Sequence, residues 1–174
     1  ADNNTAVGRL ALAANTTGTS NTAVGQGALD ACTTGDVNTA VGAASLGSVT
    51  TASNNTAVGQ GAGQSITTGA NNTILGRDAG DAITDGDDNT FIGYSTGTYQ
   101  NDLTTGHFNT IVGAYSTTTA VDSDIAAGLG YNLDCAAGYT TLGNGTADIR
   151  AAHGNITWAT VSDERYKKDI VDST

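Results

Sequence analysis

The sequence predicts an all-β chain, a parallel β-solenoid (β-roll) of about nine coils built on 17-residue repeats. Three observations carry that expectation. The string Asn-Thr-apolar-apolar-Gly begins at Asn4, Asn21, Asn38, Asn55, Asn72, Asn89 and Asn109; the first five steps are 17 residues and the sixth is 20. Side chains around each motif alternate with period two, as on a short strand. The composition has 24 Gly, no Pro, no Met and 5% aromatic residues, too few large side chains for an ordinary globular core.

Each coil is numbered from its motif Gly. Two residues before it stand Ala6, Ala23, Ala40, Ala57, Ile74, Phe91 and Ile111, and immediately before it Val7, Val24, Val41, Val58, Leu75, Ile92 and Val112. Thr at three before shares a face with the second column, and Asn shares the opposite face with the first. Both faces are uncharged, which suits a strand buried on both sides. Seven after the Gly a second apolar column (Cys32, Val49, Ile66, Ile83, and Leu103 after a three-residue insertion) predicts a second short strand. Thr-Thr-Gly corners follow, where Gly permits the positive φ of a tight turn.

After Gly113 the motif degrades. Asp124–Gly128 is expected to replace it 15 residues on, and Thr140–Gly143 another 15 on, which places Cys135 in the coil position of Cys32. About nine stacked strands would make a rod on the order of 40 Å long. The two cysteines read as buried free thiols, too far apart in the stack for a disulfide and without the His or Cys neighbours of a metal site. No metal and no cofactor are expected.

The core is thin, so a second buried face is expected against sister chains. The Ala6, Ala23, Ala40, Ala57 ladder is taken as that outer face, its small side chains allowing close approach in a parallel homotrimer. The change to Ile74, Phe91 and Ile111 reads as a better-filled axis.

Net charge is −11, all of it in residues 1–149, where 13 Asp face only Arg9 and Arg77. Such a surface repels phosphate backbones and anionic lipid, so nucleic-acid partners are not expected. No apolar run reaches the roughly 18 residues of a membrane span, and no signal peptide is visible. The chain starts without Met and reads as a piece of something longer.

The repeat resembles the heads of trimeric autotransporter adhesins, which are left-handed β-rolls with shorter repeats. It resembles more closely the shafts of bacteriophage tail fibres and tail spikes that end in an endosialidase-type intramolecular chaperone. Ser162-Asp163-Glu164-Arg165-Tyr166-Lys167-Lys168-Asp169-Ile170 is similar to the opening of that chaperone, and Gly154–Trp158 to the approach to it. The resemblance implies domains at 1–150 (shaft), 151–161 (linker) and 162–174 (start of the chaperone). It also implies self-cleavage of a precursor at Val161–Ser162, with Ser162 as nucleophile and Lys167 as its base. The 13 residues from Ser162 are too few for a folded chaperone, so this chain is expected not to cleave and not to be an enzyme. Implied partners are the chain itself, other phage tail proteins, and a host cell-surface glycan or protein; the location is the virion. A bacterial surface adhesin is the alternative, and a polysaccharide-degrading spike a weaker one.

Other candidates are weaker. His107 and His153 read as solvated. Asp85, Asp87 and Asp88 form one acidic turn without the periodicity of calcium-binding rolls. The Thr22, Thr39, Thr56, Thr73 ladder reads as internal stacking in preference to an ice-binding face, and the Asn ladder as stacked amides serving turn backbone groups. Tyr94, Tyr99, Tyr115, Tyr131 and Tyr139 either pack or, if exposed on turns, stack on sugars. Receptor-binding residues are left unassigned.

Overall fold

The computed structural model describes residues 1–98, 103–145, 148–154 and 159–160. Strands β1 (Thr5–Val7), β2 (Thr22–Val24), β3 (Thr39–Val41), β4 (Thr56–Val58), β5 (Thr73–Leu75), β6 (Thr90–Ile92) and β7 (Thr110–Val112) come first. They are followed by β8 (Thr117–Thr118), β9 (Ala127–Tyr131), β10 (Asp134–Cys135), β11 (Tyr139–Asn144), β12 (Ile149–Ala152) and β13 (Ala159–Thr160). Among the described residues there is no helix. The sheet order β1-β2-β3-β4-β5-β6-β7-β9-β11 is parallel throughout, giving nine rungs and about eight turns of solenoid. β12 and β13 then add antiparallel, closing the stack across the expected boundary at 150/151.

Each rung repeats the one before because the same backbone is forced at the same places. The motif Gly adopts φ between 130° and 156° at all nine rungs, a region closed to side chains. A Cβ at any of the first eight would meet the carbonyl of the next motif Gly, as Gly25 would meet Gly42. Two residues later the chain is left-handed again, at Leu10, Gly27, Ala44, Gly61, Asp78, Ser95, Tyr115 and Asn132 (φ 47° to 67°). A third left-handed position precedes each ladder Asn from Asn21 on, at Ser20, Val37, Asn54, Asn71, Asp88 and Phe108, and again at Ile125.

These kinks explain why the expected second strand is missing from the windings before Gly113. With left-handed residues two and four after the Gly, the run cannot stay extended. Its amides still bond up the stack (Leu29 N–H to Ser45 O, 3.1 Å; Thr33 N–H to Thr50 O, 2.9 Å), so the turns are paired without being strands. Only β8 and β10 form a second, two-stranded sheet. The apolar column seven after the Gly is nonetheless inside: Cys32, Val49, Ile66, Ile83 and Leu103 are fully buried.

The Ala ladder is also inside, contrary to the expected outer face. Ala23, Ala40, Ala57, Ile74, Phe91 and Ile111 are all fully buried within the coil. The growth from Ala to Ile and Phe therefore marks no axis between chains. It is matched four residues after the Gly, where Leu29 and Leu46 give way to Gly63, Gly80 and Gly97. A Cβ at Gly63 would stand 3.0 Å from Ile74 Cδ1, and one at Gly97 3.1 Å from Phe91 Cδ2. Large and small exchange across one narrow core, so its volume is kept.

The degraded windings also correct the expected register. Val112 pairs with Leu129 and Leu129 with Leu142, so the steps are 17 and 13 residues and Gly130, not Gly128, is the stacked glycine. Gly128 lies beneath Ile111 in the inward column, and Cys135 Sγ occupies the space its side chain would fill. Cys135 pairs with Thr118, five residues after its Gly, and so does not share the coil position of Cys32.

Val37 is the one left-handed β-branched residue in the regular windings, and it is 54% exposed. Asn or Ser stands there in neighbouring windings. Val37→Asn removes about 1 kcal/mol of local strain and buries nothing less. Thermal melting should show a rise of a few degrees.

Candidate functional site

With the Asn and Ala columns turned inward, each rung presents its Thr and its aliphatic residue outward. Thr22, Thr39, Thr56, Thr73 and Thr90 are half-buried, and their hydroxyls find no partner among the described residues. They are not stacked internally, as the sequence suggested. Beside them run Val7, Val24, Val41, Val58, Leu75, Ile92, Val112 and Leu129, of which Val7 and Leu129 are each 58% exposed. This outer face carries no charge at either position over its eight rungs, on a chain whose net charge is −11.

The inward Asn column ties each rung to the next. Asn21, Asn38, Asn55, Asn72, Asn89 and Asn109 are fully buried. Each side-chain oxygen accepts the backbone N–H of the next motif (Asn38 Oδ1 from Asn55 N–H, 3.0 Å), and each Nδ2 donates to a corner carbonyl (Asn38 to Ala52 O, 2.8 Å). The expected amide ladder is present. Ala126 ends it, taking the acceptor of Asn109 and offering none onward.

A second ladder runs along the corner one residue after the turn Gly. Asp36 Oδ1 accepts from Thr19 N–H, Asp87 Oδ1 from Ala70 N–H and Asp124 Oδ1 from His107 N–H, each at 2.6 Å. These carboxylates are therefore structural acceptors, and the Thr19 bonds hold the Asp36 carboxyl below its ordinary range. His107 belongs to this ladder, its Nδ1 accepting from Asp87 N–H at 2.9 Å. The acidic turn is divided among such partners, with Asp85 accepting from Thr84 Oγ1 at 2.8 Å. Among the described residues no group of His, Cys, Asp or Glu is placed to hold a metal. A shallow groove beside windings one to four, about 290 Å³, contains a single carboxylate, Asp30, whereas glycosidic cleavage uses a pair.

Tyrosines form a strip on the later windings. Tyr94, Tyr115 and Tyr131 follow one another one winding apart, with ring centroids 5.0 and 5.8 Å apart and edge-to-face. Arg77 lies over Tyr94, 4.6 Å from its centroid, and donates to its Oη at 2.6 Å. Hydrogen bonds from Ser95 and Arg77 lower the Tyr94 phenol below its usual range. No sequence periodicity marks this strip, because Tyr94 and Tyr131 stand one residue after their motif Gly and Tyr115 two after its own, so the three share no repeat position.

Both cysteines are buried and free. Burial pushes Cys32 up, and burial with the nearby charges of Asp148 and Asp134 pushes Cys135 up to about 12. A thiol raised in the folded state stabilises fully below its unfolded pKa near 9, and that contribution is lost as pH rises towards 12. Stability should therefore fall from about pH 9 upward, by roughly 1.4 kcal/mol per unit at most for each thiol. Chemical denaturation across that range checks it, and Cys135→Ala should flatten the slope whatever it costs at neutral pH.

Ser162, Lys167 and the Val161–Ser162 bond lie outside the described residues, as do Tyr99, Asp102 and Asn155–Trp158. No family model, characterised protein or solved structure matches the chain.

Proposed function

We propose that this chain is a shaft segment of a homotrimeric phage tail fibre or tail spike, serving attachment to a host cell surface. The observation that carries the reading is the outer sheet face: eight rungs with an aliphatic side chain beside Thr on seven of them and Ala127 on the eighth, with no charge, on an acidic rod. A face of that kind favours burial, and a parallel sister chain offers the same columns at the same spacing. Three such faces meeting along an axis would hide Val24, Val41, Val58, Leu75 and Ile92 and satisfy the Thr hydroxyls. Left-handed winding goes with the resemblance to adhesin heads. The string from Ser162 to Ile170 favours the fibre over the adhesin, and supports a precursor matured by cleavage before Ser162 and located on the virion, among other tail proteins.

Two measurements test it. Val58→Cys, oxidised in solution, should give a covalent dimer on a denaturing gel, because equivalent residues face each other in a parallel assembly; the same change at exposed Ser20 should not. Labelled protein should adsorb to the surface of susceptible bacteria. Failure of the cross-link with the fold intact removes the assembly, and failure on every strain tried removes attachment.

A further inference from the structure

The geometry points to the Tyr94–Tyr115–Tyr131 strip as a binding site for an uncharged oligosaccharide; this rests on the attachment reading and says where and by what chemistry attachment occurs. Three of the four tyrosines in the described residues stand in this one strip. Tyr131 is 52% exposed, and Tyr94 and Tyr115 are half-buried, so each ring combines a packed edge with an open part. The open parts of such rings offer apolar carbon surface to sugar C–H groups, most of all at Tyr131. Centroid spacings of 5.0 and 5.8 Å are close to the length of one pyranose unit, so consecutive sugars would meet consecutive windings.

The strip is also held in place. Tyr115 N–H donates to Tyr94 O at 2.9 Å, and the perpendicular rings brace one another, so little ordering is left to be lost on binding. Charge selects the ligand class. Arg77 at the end of the strip is paired with Asp78 at 3.1 Å, and its guanidinium is engaged by Tyr94. Among the described residues no free cation remains there to offset the net −11 of residues 1–149, so a uronate- or sialate-bearing glycan is repelled and a neutral one is not. The Arg77–Asp78 pair is left to donate to and accept from sugar hydroxyls.

The test uses the full chain on an immobilised panel of neutral and of acidic oligosaccharides, beside whole bacteria treated with periodate or with protease. Binding is expected to neutral members only, to be insensitive to salt, and to be lost from periodate-treated cells. Tyr131→Ala and Tyr115→Ala should each weaken it at least about tenfold, with the thermal melt and assembly mass unchanged. Cell binding that survives both substitutions, or that protease abolishes, overturns the site while leaving attachment standing. Preference for acidic glycans with strong salt dependence overturns the ligand class. A change of assembly mass in Tyr131→Ala makes the strip a contact between chains and overturns it. Absence of binding to any cell or sugar by the unsubstituted chain removes the attachment reading and the site together.

Discussion

Gly59→Ala should cost more than about 4 kcal/mol, enough to abolish folding of the central windings. Two effects coincide at this atom. The backbone sits at φ 141°, where an L-residue is excluded, and the added methyl would lie 2.5 Å from the Gly76 carbonyl carbon and closer still to its oxygen. Neither neighbour can move, since both are backbone in a rung bonded above and below (Gly59 N–H to Val41 O, 2.8 Å; Gly76 N–H to Val58 O, 2.8 Å). Gly27 provides the control. It is left-handed at φ 65° and its nearest neighbour is an Asp30 side-chain oxygen at 3.6 Å, so Gly27→Asn should change stability by under about 1 kcal/mol. Circular dichroism and denaturant titration of the pair check the contrast. Equal effects would mean that the motif glycines serve flexibility instead of close approach.

Asn55→Ala should cost about 3–5 kcal/mol. Its Nδ2 donates to Gly69 O at 2.9 Å, and its Oδ1 accepts from Asn72 N–H at 3.0 Å and Asn72 Nδ2 at 3.1 Å. Deletion strands the Gly69 carbonyl and the Asn72 amide where water does not reach, and each orphan carries its full desolvation penalty. Asn55→Asp discriminates the mechanism. A carboxylate restores the acceptor for Asn72 but opposes the Gly69 oxygen, so it should fail to rescue, and should improve as pH falls and the acid regains a donor proton. Hydrogen exchange at Asn72 in the two variants locates the loss. A neutral outcome for Asn55→Ala would show that the amide column is dispensable.

Why the column matters is visible in how the sequence could be read. The Asn-Thr-apolar-apolar-Gly string announced the winding, because a stacked Gly and a stacked amide both need the same residue at every rung. Which side of the strand faced in was not legible. Ala23 and Thr22 are both small and uncharged, and alternation alone assigns pairs of columns without a direction. The direction is set by partners within the winding and in the next one: Leu29 and Leu46 fill against the Ala column, while Gly63, Gly80 and Gly97 make room for Ile74 and Phe91. The second strand was read from side chains that do point inward, but the left-handed kinks beside them occur at Leu10, Ala44 and Asp78 as readily as at Gly27, and so left no signature. At the degraded end Gly128 mimicked the motif. The hydrogen bond from Ala126 N–H to Asn109 Oδ1 sets the true register two residues later, and no string comparison contains it. The tyrosine strip stayed hidden because it comes from the spacing of windings and not from spacing along the chain.

Those same columns leave the Thr and aliphatic face as the surface in need of a partner, and assembly through it is the claim on which the functional reading depends. Measuring the mass of the native assembly by light scattering or native mass spectrometry tests that claim most directly. The particle should have three times the mass of one chain, held at low concentration and reduced by Val41→Asp together with Val58→Asp. A particle of one chain mass, with the β-solenoid spectrum intact, would contradict it.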